Sequence, residues 1–306
     1  MRVVTRLDLD GVGCAALLDE LGLMDDLVLT HPGEVQAGNL AVDDNDIIAN
    51  LPYVPGCGMW FDHHASEGER GAFGDFKGMC DTSAPSAARV IYEFFGGVSR
   101  FSNPRIPELV QAVDKADAAR FTREEIMNPT RWVLLSFLAD PRTGMEDDAG
   151  FDTPHERFMR GLVRQCLDMP VEDILKLPAA RERADRYFAE NRRFVNMIRE
   201  RARILDNVVV LDLRDVRDVP TGNRHVVYAL HPGQNVSVQV MQADFPGLVH
   251  IAVGHSILNR TSNTRVGSLM LEYGGGGHDR AGGCRVPEDS ADRTVSEIVD
   301  RLIRDG

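Results

Sequence analysis

The chain has 306 residues, 43% of them apolar and 26% charged, with a formal net charge of −13. That length suits two domains with a core each, the composition is that of a globular protein, and the negative charge works against binding long duplex DNA. No apolar run approaches the roughly 20 residues of a membrane span. Asp8 and Asp10 speak against a signal-peptide start. Five scattered cysteines with no CxxC pair point to a reducing, cytoplasmic setting.

In chain order, Arg2 to Leu7 reads as a short buried strand that runs into Asp8-Leu9-Asp10-Gly11, after which Val12 to Leu18 opens an apolar helix. One Asp in that turn serves as a helix N-cap; the second carboxylate is left over and can project into the same crevice. Leu27 to Thr30 is the next expected strand, followed by a turn at His31-Pro32. The acidic loop Asp43-Asp44-Asn45-Asp46 leads into the apolar run Asp46 to Leu51, with Asp46 open to a place in the site. Trp60-Phe61-Asp62-His63-His64 then ends a buried segment in one carboxylate and two imidazoles. A hydrogen-bonded His pair with a capping Asp explains these three residues as well as a metal site does. If they do bind metal, the donor set suits Mn, Zn or Fe better than Ca or Mg.

Ser66 to Thr82 reads as a loop, Pro85 to Phe95 as a helix stopped by Gly96-Gly97, and Pro107 to Val113 as a helix leading to Asp114 and Asp117. Alternating strands and helices predict a mostly parallel sheet whose strand ends build the site. Asp140 to Thr153 reads as a surface loop. A long helix over Ala179 to Leu205 carries eight arginines. They form either a solvated basic face or a phosphate-steering connection between domains. Strands are expected at Val208 to Leu213, His225 to Leu230, Val236 to Val240 and His250 to Val253. Four glycines, Gly274, Gly275, Gly276 and Gly277, precede His278 and Arg280. They predict an anion nest at the start of a helix near His278, with a flexible linker as the plain alternative.

Taken together these stretches resemble the DHH phosphoesterase family, in its two-domain form with a DHHA1 domain, and within it the exopolyphosphatase-like members. Asp8-Leu9-Asp10-Gly11 is similar to the first motif, Asp62-His63-His64 to the name-giving one, Asp117 (or Asp114) to the fourth, and Gly274 to His278 with Ala281-Gly282 to the C-terminal signature. The resemblance implies an α/β fold: a parallel-sheet DHH domain over 1–145, a helical linker over 146–205 and a smaller α/β DHHA1 domain over 206–306. It implies Asp8, Asp10, His63 and Asp117 as metal ligands for one or two Mn²⁺ ions, with Mg²⁺ as the alternative. His64 and Arg6 would assist catalysis, and Asp62 would orient the imidazoles. The glycines with His278 and Arg280 would grip a phosphate that does not react. Two positions depart from the family pattern: Arg6 stands where a His is usual and Asn50 where an Asp is usual, unless Asp44 or Asp46 supplies that group. One metal position is therefore expected to be weak.

The function expected is metal-dependent hydrolysis of a short polyanion: polyphosphate, a short oligonucleotide or a nucleotide. A phosphate- or nucleotide-binding regulator with a decayed metal site is the alternative. Neither long duplex DNA nor a membrane is an expected partner, and a homodimer is left open.

Overall fold

The computed structural model describes residues 1–64, 76–145, 150–243 and 245–306. By contacts the chain divides into two compact units, Met1–Arg120 with Pro129–Tyr187, and Phe121–Asn128 with Phe188–Gly306. The stretch expected as a linker over 146–205 is thus shared between the units, its long helix running from one into the other.

The first unit is built on five parallel strands in the order β2-β1-β3-β4-β5: β1 Arg2–Arg6, β2 Asp26–Thr30, β3 Asp46–Ala49, β4 Met59–Asp62 and β5 Gly78–Cys80. Val3, Val4, Ile47, Ile48, Trp60 and Phe61 are fully buried, as expected for central strands covered on both faces. Helix α1 (Leu9–Glu20) is buried from Leu9 through Leu18. It packs against α2 (Ala87–Phe94), α3 (Ile106–Asp117) and the helix His155–Asp168. Gly13 permits the approach of α3, since a Cβ there would lie 2.9 Å from the Val113 side chain.

Several expectations change here. Asp46 sits at the N-terminal edge of the sheet, opposite Arg2 in register and bonded to its guanidinium at 2.7 Å, with Asp44 exposed just before it. Both carboxylates are at the far edge from the site, so neither replaces the missing one. Of the loop expected over Ser66 to Thr82, residues 65–75 lie outside the described residues, and Gly78–Cys80 is the edge strand β5. Its sequence has no apolar alternation; Gly78 allows the pairing because a Cβ there would meet the Trp60 carbonyl. Met145 and Phe151, in the expected surface loop, are buried.

The second unit holds a six-stranded mixed sheet in the order β10-β11-β9-β8-β7-β6. The strands are β6 Ala202–Leu205, β7 Val208–Asp212, β8 Val236–Gln242, β9 Leu248–His255, β10 Gly276–His278 and β11 Ala281–Pro287. Its core joins Val208, Val210, Val238, Val240, Ile251 and Val253 to the C-terminal helix Glu288–Asp305 through Ile298 and Leu302. The long helix ends at Arg201, and the residues after it form β6 instead of a further turn. His225 to Leu230 is a helix over Val226–Leu230, not a strand. A short apolar run carries no decisive period, and the Asn223 side chain accepts the His225 N–H to begin the turn.

Candidate active site

The site lies at the C-terminal ends of β1, β3 and β4, where a parallel sheet directs its polar residues. Asp8 is the N-cap of α1 and accepts from the Gly11 amide at 2.9 Å. Asp10, the leftover carboxylate, is buried in the first turn, and its two oxygens accept the Ala87 and Ala88 amides, each at 2.9 Å. These are the first amides of α2, so the positive end of that helix stabilises the buried charge.

Strand β4 delivers Asp62, fully buried, whose Oδ1 lies 2.8 Å from His64 Nδ1. His63 places Nδ1 3.3 Å from the Ala84 carbonyl, and Nε2 lies 3.1 Å from Asp117 and 3.9 Å from Asp10. Asp117 is the last residue of α3. Asp10, His63 and Asp117 each offer one donor atom, all within 4.8 Å of one another. Asp114, one turn earlier, is absent from this group: its oxygens accept Ser86 Oγ at 2.7 Å and the Arg89 guanidinium at 2.5–3.0 Å.

Asp8 belongs to a neighbouring cluster. Arg6 Nε lies 3.0 Å from its Oδ2, and Asn50 Nδ2 donates to its Oδ1 at 3.1 Å. Asn50 holds a positive φ of 55°, a conformation Asn tolerates better than most residues. Arg142 is a residue that sequence reasoning missed. Asp140 grips it on a short 3₁₀ turn at 2.7 and 3.0 Å, and it is close enough to Asp8 and Asp117 to feel their charge. The only sequence signal was an arginine inside an Asp-Pro-Arg-Thr-Gly turn, with no spacing to tie it to the site.

The electrostatics separate these groups. Burial, then the nearby Asp117 charge, pushes Asp10 up to about 7. Burial also raises Asp8, against the pull of Arg6. For His63 burial favours the neutral ring, but Asp117 and Asp10 outweigh it and lift the imidazole to about 9. Burial opposes ionisation of Asp117 too, yet His63 beside it holds the carboxyl below its usual range. His64 is raised because Asp62 outweighs the cost of burial.

The glycine run does not start a helix. Gly276 to His278 forms β10, paired antiparallel with β11 through Gly276–Gly283, Gly277–Gly282 and His278–Ala281. A Cβ on Gly277, at φ 149°, would lie 2.4 Å from the Ala281 carbonyl, and one on Gly275 would lie 2.1 Å from that of Gly283. Close strand packing thus explains these glycines, and the hairpin leaves His278 and Arg280 exposed. Arg183 of the long helix is buried between the rings of Phe151 and Phe158, so it serves the core and steers nothing.

With this arrangement in view, the solved structures it resembles settle its class: the chain belongs to the DHH family of phosphoesterases, and is a hydrolytic enzyme by that membership. It is 38% identical to PggH, a pGpG-specific phosphodiesterase from Vibrio cholerae, over 100% of this chain and 99% of that one, at a TM-score of 0.86. An exopolyphosphatase-related protein from Bacteroides fragilis matches at 12% identity over 98% and 92% of the two chains, TM-score 0.52. RecJ from Thermus thermophilus in complex with Mn²⁺ matches at 14% identity over 99% of this chain and 52% of that one, TM-score 0.53. These two share the fold. No family model and no curated protein sequence matches the chain.

A divalent ion, which the family implies, fits the first unit. Asp62 Oδ2 and Asn50 Oδ1 are buried at adjacent strand ends and satisfy no hydrogen bond among the described residues, and His63 Nε2 faces the carboxylates of Asp117 and Asp10. Buried polar atoms left in this state call for a partner. Among the described residues no helix is long and apolar enough to cross a membrane.

Proposed function

We propose that this enzyme hydrolyses the phosphodiester bond of a linear dinucleotide of the pGpG kind, releasing mononucleotides, with Mn²⁺ held by Asp10, His63 and Asp117. The observation that carries the reading is the 38% identity with the pGpG-specific phosphodiesterase over essentially the whole of both chains. When bound, the ion lowers the pKa of a coordinated water and screens phosphoryl charge. An imidazole and two carboxylates make Mn²⁺ a better fit than Mg²⁺, which prefers all-oxygen ligands.

The chain's own groups divide the remaining work. His64, oriented by Asp62, whose carboxylate favours the imidazolium form against the cost of burial, is the donor to a phosphoryl oxygen. Arg6, about one-third exposed, adds a fixed positive charge next to Asp8. In the second unit, the exposed His278 and Arg280 are assigned the nucleotide phosphate that does not react. A cytoplasmic setting belongs to the same proposal.

The test is chromatography of pGpG incubated with the purified enzyme and Mn²⁺, beside an eight-nucleotide RNA and polyphosphate. GMP should appear from pGpG at least about tenfold faster than product from either comparator, a modest margin for a site that selects its substrate by hydrogen bonds. Asp10→Asn should abolish the reaction. Tight pGpG binding with no turnover, or equal turnover by Asp10→Asn, would favour a nucleotide-binding regulator instead.

A further inference from the structure

We infer that this centre holds one divalent ion, with the Arg6 guanidinium in place of a second cation and Asp8 as a positioning residue outside the ligand set. The inference rests on the phosphodiesterase reading only in supposing that a metal binds at all.

The side chains sort themselves into two clusters. In one, donor atoms of Asp10, His63 and Asp117 converge within 4.8 Å. In the other, the Asp8 carboxylate is already in use. Its Oδ2 faces Arg6 Nε at 3.0 Å, and its Oδ1 accepts both the Gly11 amide at 2.9 Å and Asn50 Nδ2 at 3.1 Å. A carboxylate offers about four lone-pair sites, and three of Asp8's are directed at donors. A second ion on Asp8 would have to displace Arg6 or sit against its positive charge.

Asn50 points the same way. It emerges from β3 beside Asp62, at the place where a second ion would need a negative ligand, and brings a neutral amide whose nitrogen is turned to Asp8. Arg142, gripped by Asp140 and sensing Asp8 and Asp117, adds a second fixed positive charge on this side. Arginine cannot lose its proton here and does not exchange, so this half of the charge compensation is built into the chain.

Mn²⁺ titration of the chelator-stripped full-length enzyme, by calorimetry and by electron paramagnetic resonance, decides the matter. One ion per chain is expected, with no exchange-coupled Mn–Mn signal. Asp8→Asn keeps a good helix N-cap, so it should fold, and it should keep the single ion with only a few-fold change in dissociation constant. Asp10→Asn should weaken the ion by about 100-fold or more, as expected for loss of a ligand that exceeds a supporting hydrogen bond in effect. Arg6→Gln should keep one ion while kcat on pGpG falls about 100-fold, the scale of a lost charge-stabilising donor. Arg6→His combined with Asn50→Asp should raise the count to two and bring in the coupled signal. Two ions on the unaltered enzyme, or loss of the ion in Asp8→Asn, would overturn the inference and leave pGpG hydrolysis standing. No ion at all would overturn both.

Discussion

Asp10 and Asp117 belong to the same group of donor atoms and shift in opposite directions, and the reason is where the His63 proton sits. That proton lies nearer to Asp117, at 3.1 Å against 3.9 Å for Asp10. Asp117 is therefore held ionised, while Asp10 bears burial and its neighbour's charge and rises to about 7. A metal ion can use His63 only after removing a proton whose pKa is about 9. The sign follows: below pH 9 protons compete with metal, so affinity rises with pH, by about tenfold per unit between pH 7 and 9 and more steeply below 7, where Asp10 also binds a proton. Calorimetric Mn²⁺ titrations at pH 6, 7 and 8 check this; a flat profile would mean that His63 is no ligand. Arg142 supports a second expectation. Arg142→Ala should raise KM for pGpG by about tenfold, the worth of one charge-assisted contact, with the metal affinity measured alongside to show that the ion stays. Asp8, Asp10, Asp62, His63 and His64 were legible because each stands at or just after the end of a strand, where polar residues meet a site. Arg142 was not, because a turn's sequence does not reveal what the turn faces.

At the scale of elements, the aim of Asp10 depends on a helix that makes no contact of its own with substrate in this reading. Ser86 caps α2 by accepting the Arg89 amide at 3.0 Å, and its hydroxyl donates to Asp114 at 2.7 Å. The cap therefore joins α2, whose first amides hold Asp10, to α3, which carries Asp117. Ser86→Ala should cost about 1–2 kcal/mol, the usual worth of an N-cap, seen as a lower melting temperature, and should weaken Mn²⁺ binding through Asp10. An unchanged metal affinity would show that Asp10 is held by other contacts. Sequence reasoning left Asp114 open as the alternative to Asp117 because both carboxylates stand near the end of α3. The glycine hairpin failed for a different reason: its geometry comes from β9 and β11, and no local period announces that pairing. Gly277→Ala should cost more than about 2 kcal/mol in a thermal melt, since the new Cβ meets the Ala281 carbonyl at a strained φ.

Over the whole molecule, the alternation of strands and helices made the parallel first sheet legible, because its central strands are buried on both faces and read as continuous apolar runs. The second sheet was harder, since a short apolar run such as Val226–Leu230 suits a helix or a strand until its neighbours are known. Net charge carries an argument of its own at this scale. A chain at −13 repels a polyanion at long range, so whatever anion it binds must be attracted by a few local cations. With about two phosphates neutralised on a single-stranded ligand, the salt slope is about −1.4, and affinity for pGpG should fall by less than about tenfold between 50 and 200 mM salt. A duplex of about 20 base pairs needs six or more such contacts to bind at physiological salt, and the surface charge opposes each of them. Fluorescence anisotropy should therefore show pGpG binding with this shallow slope and no binding of the duplex at micromolar enzyme. A steep slope, or duplex binding that competes with pGpG, would place a longer basic track on the surface and turn the substrate reading toward polymeric nucleic acid.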